Sequence, residues 1–304
     1  MHIYTDLASE LRELNPKETG IEEETEHDGN AEIKRIRILT DAAVRRLGKK
    51  KGNYITIDAP ELETRTPEIF DEIIGILSKE LRAMLDFNEN STILVVGLGN
   101  SGVTPDSLGP QVVSGVHITR HIKEFMPEVL TTPIASVCAI APGVLGITGV
   151  ETMDVVDGVV EKVKPTCVIV VDALASRRAA RISSTIQLSD AGISPGSGVG
   201  NTRSELSRES LGVPVIAIGV PMVVYASTII RDAISIIAEE QSLGLSEERL
   251  QNLNESLIKK QSGDMIVTPK DIDTIVKDMS SVIAGGINRA LFGDEAENLA
   301  ALLS

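Results

Sequence analysis

Two aspartates follow apolar stretches that predict β-strands. Asp106 lies in a Gly- and Pro-rich loop after Thr92–Val96, and Asp172 directly follows Cys167–Val171. Because reacting groups of open α/β sheets collect beyond the carboxyl ends of the strands, the two acids could meet there. One acid of such a pair can stay ionised and activate water while the other keeps a proton and polarises a carbonyl. The sequence leaves open a structural role for each acid, such as a salt bridge with Arg177 or Arg178. It also leaves open a divalent metal held by Asp106, Asp172 and a histidine.

The loop before Asp106 carries a second signal. Gly97, Gly99 and Gly102 form GxGxxG after an apolar run, as in dinucleotide-binding proteins. That motif requires a helix opening at the glycines, with its amides toward the phosphates, and Pro105 and Pro110 would fall inside such a helix. We therefore predict a strand, an irregular loop and a helix that begins near Pro110. A nucleotide-binding protein using GxGxxG stays the alternative from a different functional class.

Other reactive side chains give weaker signals. His117 and His121 have a spacing that can chelate a metal on a helix, but no flanking Glu, so we expect core or surface histidines. Cys138 and Cys167 lie in apolar runs, which favours buried thiols over a disulfide or a nucleophile. Glu151 follows a Gly/Thr turn and is predicted to be a helix-start acid that could reach the site. We predict neither a resident metal nor a cofactor.

Composition restricts the class of protein. The chain has 304 residues, of which 42% are hydrophobic, so it can bury a substantial core. A formal net charge of −15 and an aromatic content of only 2% argue against direct nucleic-acid binding. The basic cluster of Arg45, Arg46 and Lys49–Lys51 is interpreted as a solvated helix end and turn. There is no apolar run of transmembrane length and no N-terminal signal sequence, so we expect a cytoplasmic protein that does not bind membranes.

The pattern along the chain predicts a loosely attached acidic arm over residues 1–30 and a single α/β domain over 31–304. The predicted fold is three-layered, with a mostly parallel central sheet flanked by helices and additional small β and helical elements. Ile36 and Ile38 are predicted to pair with Tyr54–Ile57, and residues 192–200 to form a glycine-rich surface loop. The main predicted strands are Thr92–Val96, Ser136–Ile140, Cys167–Val171, Thr185–Leu188 and Val215–Ile218, and the main predicted helices are 67–85, 110–125, 150–163, 226–240 and a closing helix from Ile272.

Longer segments carry a more specific resemblance than any short motif. In order along the chain, they resemble the germination protease family of spore-forming bacteria, over about residues 31–292. The segments are GLGNSGVTPDSLGP from Gly97, ITRH from Ile118, APGVLGITGVET from Ala141, VDALASR from Val171, TIQLSDAGISPGSGVGNTR from Thr185, LGVPVIAIGVP from Leu211 and MIVTPKDID from Met265.

This resemblance implies an aspartic-type endopeptidase that starts the degradation of small acid-soluble spore proteins during germination. It also implies a fold similar to that of hydrogenase maturation proteases. The acids to which the family's catalytic role is given match Asp106 and Asp172, and we expect Asn100 and Glu151 to support the site. We further expect a homo-oligomer in the spore core or forespore. A hydrogenase-maturation-type protease is the alternative within the same class.

The family is made as a precursor that removes its own N-terminal segment. Thr5-Asp6-Leu7-Ala8 resembles that processing site and the Thr-Glu-Ile-Ala type of site in the substrates, so the expected cut lies between Asp6 and Leu7. Only six residues would be lost, fewer than is usual in the family. A second departure is Tyr225, which stands where the family commonly has Asp.

Overall fold

The computed structural model describes residues 5–130, 132–194, 205–240 and 265–303. Its strands are β1 (Ile21–Asp28), β2 (Ala31–Ile38), β3 (Gly52–Asp58), β4 (Thr92–Gly97), β5 (Ser136–Ile140), β6 (Cys167–Ser176), β7 (Thr185–Ser189), β8 (Val215–Tyr225) and β9 (Ile266–Val267). Its helices are α1 (Ala8–Leu14), α2 (Asp41–Leu47), α3 (Pro67–Met84), α4 (Leu108–Gly115), α5 (Arg120–Phe125), α6 (Leu145–Thr148), α7 (Thr152–Val163), α8 (Arg208–Leu211), α9 (Ala226–Glu240), α10 (Ile272–Phe292) and α11 (Glu295–Leu303).

All of these strands belong to one mixed sheet. Its order is β1-β2-β3-β7-β8-β6-β4-β5, with β9 paired to β8. The pairs among β5, β4, β6 and β8 are parallel, and the remaining pairs are antiparallel. The predicted α/β fold with a central sheet flanked by helices is confirmed. The antiparallel part is larger than the small additional elements that the sequence predicted.

Both faces of the parallel strands are covered, as their continuous apolar sequences require. On β4, Ile93 and Val95 join the large core cluster that also contains α3 and α10 side chains. The alternate residues Leu94 and Val96 join a second cluster with α7 and α8 on the opposite face. A third cluster packs α1 and α2 against β2 and β3. The second and third clusters leave room for a cavity between them on one face of the sheet.

The expectation of a loosely attached N-terminal arm is wrong for the described residues. Its acidic stretch forms β1, which pairs with β2 along its whole length. Basic side chains explain this, because Glu22 lies opposite Arg37 and Glu24 lies opposite Arg35 in the register. Arg35 also forms an ion pair of 2.6 Å with the buried Glu80 of α3. These charges join β1 to the rest of the fold.

The predicted helix over 110–125 is divided into α4 and α5. The side chain of Asn288 accepts the N–H of His117 at 2.9 Å and donates to the carbonyl of Gly115 at 3.0 Å. Next along the chain, the Thr119 hydroxyl binds the carbonyl of Ala135 at 2.8 Å. Because the side chain of Asn288 supplies hydrogen-bond partners for the backbone around residues 115–117, the chain can leave the helix there. His117 therefore precedes α5 and does not share a helical turn with His121.

Two further findings complete the fold. No helix in the described ranges is long and apolar enough to cross a membrane. The glycine-rich segment predicted over residues 192–200 falls mostly outside the described residues, but Ile193 forms an isolated bridge with Leu206.

Candidate active site

Asp106 and Asp172 line the same cavity, which has a volume of about 490 Å³. Asp172 comes from β6, and Asp106 comes from the short 3-10 helix Thr104–Asp106 that follows β4. The structure therefore brings together the two acids that the sequence singled out.

The backbone at Asp172 differs from the sequence-based prediction. β6 does not end there but continues to Ser176. What ends is its neighbour β4, whose last residue, Gly97, pairs with Val171. On the other side, β8 continues and pairs Gly219 with Asp172. Asp172 is only 6% exposed, and its Oδ1 accepts the N–H of Ala173 at 2.9 Å. Asp172 is therefore held by a strand, one residue beyond the end of β4.

The glycines of GxGxxG build the loop that holds Asp106. Gly99 has φ +114°, and a Cβ at this position would lie 2.0 Å from the carbonyl oxygen of Asp106. A Cβ on Gly97 would likewise lie 2.1 Å from the carbonyl oxygen of Gly109 in α4. The N–H of Asn100 donates to Asp106 Oδ2 at 2.9 Å and to the Asp106 carbonyl at 3.1 Å. These glycines thus permit close backbone contacts, and a 3-10 turn follows where a phosphate-binding helix would have to begin.

Of the two residues expected to support the site, Asn100 contacts one of the acids and Glu151 lies away from the cavity. Asn100 contacts Asp106 through the Asn100 backbone N–H. The Oδ1 of the Asn100 side chain accepts the N–H of Gly102 at 2.9 Å. Glu151 occupies the N-cap position of α7 and does not line the cavity. The geometry therefore links only Asn100 with the acid pair.

The N-terminal segment enters this cavity. Asp6 is one of its lining residues, and the following Leu7 and Ala8 are fully buried. The N–H of Asp6 donates to the carbonyl of Ala175 at 2.8 Å. In return, the N–H of Ala175 donates to Asp6 Oδ2 at 2.8 Å. Asp6, the first residue of the predicted processing site Asp6–Leu7, thus lines the same cavity as the two acids.

α1 anchors this segment on its other side. Glu10 is 1% exposed and accepts the backbone N–H groups of Arg177 at 2.6 Å and Arg178 at 2.9 Å. The hydroxyl of Thr5 also donates to Glu10, and it accepts the N–H of Leu7 at 3.1 Å. The segment is therefore fixed both before and after Asp6.

Two polar residues of the cavity were not predicted from the sequence. Gln187 lies on β7 and binds the backbone of the N-terminal segment. Lys49, interpreted as part of a solvated turn, lines the cavity instead. Burial lowers the pKa of Lys49, and the nearby carboxylate of Asp6 partly opposes this effect. The sequence around Lys49 gives no signal that it lines a site. For Gln187 the one signal is a polar residue between Ile186 and Leu188, both of which are fully buried in the structure.

The cysteines fit the prediction of inert thiols. Neither forms a disulfide, and burial raises the pKa of Cys138 and raises that of Cys167 to about 11. A thiolate nucleophile needs a lowered pKa, so neither side chain is suited to that role.

Comparison with known proteins identifies the family of the chain. A model of the family described as germination protease matches residues 2–248 and 240–302. The chain belongs to the germination protease family. Germination proteases similar to it include that of Caldanaerobacter subterraneus subsp. tengcongensis, with 46% identity and coverage of 95% of this chain and 94% of the relative. That of Clostridium acetobutylicum is 42% identical, with 95% of each chain covered, and that of Bacillus cereus is 39% identical, with 95% and 93% covered.

Membership of the germination protease family makes the chain a protease, and therefore a hydrolase, of spore germination. This confirms the family that the sequence segments indicated. Among solved structures, a [NiFe] hydrogenase maturation protease, HycI from Thermococcus kodakarensis KOD1, matches with a TM-score of 0.35 and 17% identity, covering 68% of this chain and 98% of that chain.

The role of Gly99 gives a first prediction. Gly99→Ala should lower the free energy of unfolding by about 1–3 kcal/mol more than Gly212→Ala, because its Cβ would meet the Asp106 backbone. Gly212 is a matched control, since it also has a positive φ, +70°, but a Cβ added there would have no other atom within 4 Å. Denaturant unfolding of both variants measures the difference. Equal losses would contradict a steric role for Gly99.

Proposed function

We propose that this germination protease is an aspartic-type endopeptidase that starts the degradation of small acid-soluble spore proteins. Asp106 and Asp172 are the proposed catalytic pair. The observation that carries this proposal is their meeting at one cavity, which also receives a peptide segment of the chain itself. The proposed location is the spore core or forespore, and the proposed assembly is a homo-oligomer.

The proposed proton transfers involve the two acids and water. One carboxylate takes a proton from water as the water oxygen bonds to the peptide carbonyl carbon. The second acid, when protonated, polarises that carbonyl. As the C–N bond breaks, the proton passes to the leaving nitrogen, and the products are a carboxylate and an amine. The proposal gives the two acids one shared proton, because two carboxylates in one site disfavour double ionisation.

We further propose that the chain is made as a precursor that cuts itself between Asp6 and Leu7. The hydrogen bonds that hold Asp6 against Ala175 support this cut, since they fix the peptide in the cavity that contains the acid pair. While Asp6 is bound to Ala175 in the wall of this cavity, a substrate residue cannot take the same position. The short segment can therefore silence the precursor by steric exclusion.

An acidic residue before the cut fits the side of the cavity that holds Asp6. The Asp6 carboxylate accepts the N–H of Ala175, and Lys49 supplies a positive charge nearby. The Glu of a Thr-Glu-Ile-Ala site has the same charge and one more methylene. We propose that Lys49 and the Ala175 amide recognise this acid in substrates.

The catalytic pair is tested by measuring how fast the full-length chain cuts itself after Asp6. Asp106→Asn and Asp172→Asn should each slow the cut after Asp6 by at least about 10³-fold, because an amide cannot accept the proton of water. Mass spectrometry of the N-terminus measures conversion, and a peptide containing Thr-Glu-Ile-Ala measures cleavage in trans. Asp190→Asn is the control, since Asp190 follows β7 but binds Asn53 at 2.7 Å and does not line the cavity. Wild-type rates in either acid variant would refute the mechanism.

Specificity gives a separate prediction. Lys49→Met should reduce the preference for Glu over Gln before the cut by about 10-fold, because one charge-assisted interaction is lost. Lys51→Met is the control, since Lys51 is in the same turn but pairs with Asp41 at 2.7 Å. In the wild type, the preference should fall as the pH rises through the lowered pKa of Lys49, since the lysine then loses its charge. Ratios of kcat/KM for paired peptides measure both effects, and an unchanged ratio in Lys49→Met would exclude this role.

A further inference from the structure

We propose that Gln187 is a catalytic residue that binds the carbonyl oxygen of the scissile peptide and stabilises the negative charge that develops there. This inference rests on the proposed function, since it takes Asp6–Leu7 as the bond that is cut. Gln187 lies in the middle of β7, is 8% exposed and lines the cavity of the acid pair.

The sheet register aligns Gln187 with Asp172. Gly219 of β8 pairs with Asp172 of β6 on one side and with Gln187 of β7 on the other. Side chains of directly paired residues point to the same face of a sheet. The residue between them is a glycine, so no side chain stands between the acid and the amide. A Cβ there would also lie 2.4 Å from the Leu174 side chain. This row therefore presents an acid and an amide to one space.

The side-chain amide of Gln187 brackets the bond proposed to be cut. Its Nε2 donates to the carbonyl oxygen of Asp6 at 3.1 Å, and its Oε1 accepts the N–H of Ala8 at 2.7 Å. The Asp6–Leu7 peptide lies between these two contacts. The donor and the acceptor of the Gln187 amide thus both bind backbone groups of the N-terminal segment. These hydrogen bonds do not depend on the side chains of that segment.

The chemistry follows from which oxygen is bound. When the water oxygen bonds to the Asp6 carbonyl carbon, the π electrons of the carbonyl move to its oxygen, to which Gln187 already donates. A donor placed in advance in a site with little water stabilises this charge more than bulk water would. When the C–N bond breaks, the electron pair on the oxygen re-forms the carbonyl, the C–N pair leaves with the nitrogen, which takes the proton held by the first acid, and the hydrogen bond weakens. Gln187 neither gains nor loses a proton.

The same amide can bind a protein substrate. Once residues 1–6 have left and Leu7 and Ala8 have moved away, the two hydrogen-bonding groups of Gln187 need new partners, because a buried polar group without one is costly. The carbonyl before the cut and the N–H two residues after it supply them in any extended peptide. Gln187 would therefore fix the position of the bond, while Lys49 would select the acid before it.

The test uses two variants of the full-length chain. Gln187→Met has a similar length and removes both hydrogen bonds, whereas Gln187→Glu retains an acceptor for the Ala8 N–H and removes the donor. Both should slow the cut after Asp6 by about 10²–10³-fold, the usual cost of losing one oxyanion donor. For a Thr-Glu-Ile-Ala peptide, Gln187→Glu should lower kcat by a similar factor and change KM only a few-fold.

Asn288 offers a matched control. It is 7% exposed and brackets backbone groups in the same way, at 2.9 and 3.0 Å, but it lies on α10, binds the chain at the end of α4 and does not line the cavity. Asn288→Leu should lower Tm and keep kcat within a few-fold of wild type. If the Gln187 variants instead raise KM and leave kcat unchanged, Gln187 is only an anchor and the inference fails. If Gln187→Met does not fold, the kcat of Gln187→Glu decides.

The outcomes separate this inference from the proposed function. If the wild-type chain never cuts after Asp6 and does not cleave the peptide, the proposed function fails. If the wild type cuts and Asp172→Asn does not, but both Gln187 variants cut at wild-type rates, only the role of Gln187 fails.

Discussion

The site depends on one difference in strand length. β6 and β8 continue beyond the last residue of β4, so Asp172 is held by a strand although its neighbour on one side has ended. A buried strand fixes the Asp172 backbone more tightly than a loop could, and the end of β4 gives the Asp106 loop space to fold back beside it. Gly97 and Gly99 are needed because that loop returns at backbone contact distance. The acid pair is therefore a product of strand offset together with close packing.

Local patterns were sufficient to predict the parts of the fold that depend on local sequence. Continuous apolar runs predicted the starts of β4, β5, β6 and β8, and an amphipathic pattern with Pro67 at its start predicted α3. The two acids could be found because each follows such a run. The extension of β6 through Ala173–Ser176 could not, because small residues have little strand propensity and pairing with β8 determines their conformation.

The missed features depend on contacts with other elements rather than on a local apolar pattern. β1 is highly acidic and lacks a clear apolar alternation, and it is stabilised as a strand by the arginines of β2. Gln187 resembles a polar interruption of a short strand until residues 6–8 are placed against it. Lys49 follows a helix end and would be solvated but for the cavity wall that contains Asp6. Such tertiary contacts override local propensity, so no window of sequence carries the signal.

The proposed cut also explains how the cavity could become available to substrates. Before the cut, the Leu7 N–H donates to the hydroxyl of Thr5, and Leu7 is fully buried. Cleavage would turn this N–H into a charged amine and remove its partner, since Thr5 leaves with the first six residues. Burying a charged amine is costly, which favours movement of the new terminus toward water. α1 remains anchored through Glu10 and the β6 end, so only the residues in the cavity need to move. Hydrolysis of this one bond thereby removes the covalent link to the anchored helix α1, so that residues 1–6 are held only by non-covalent contacts such as those of Asp6 with Ala175.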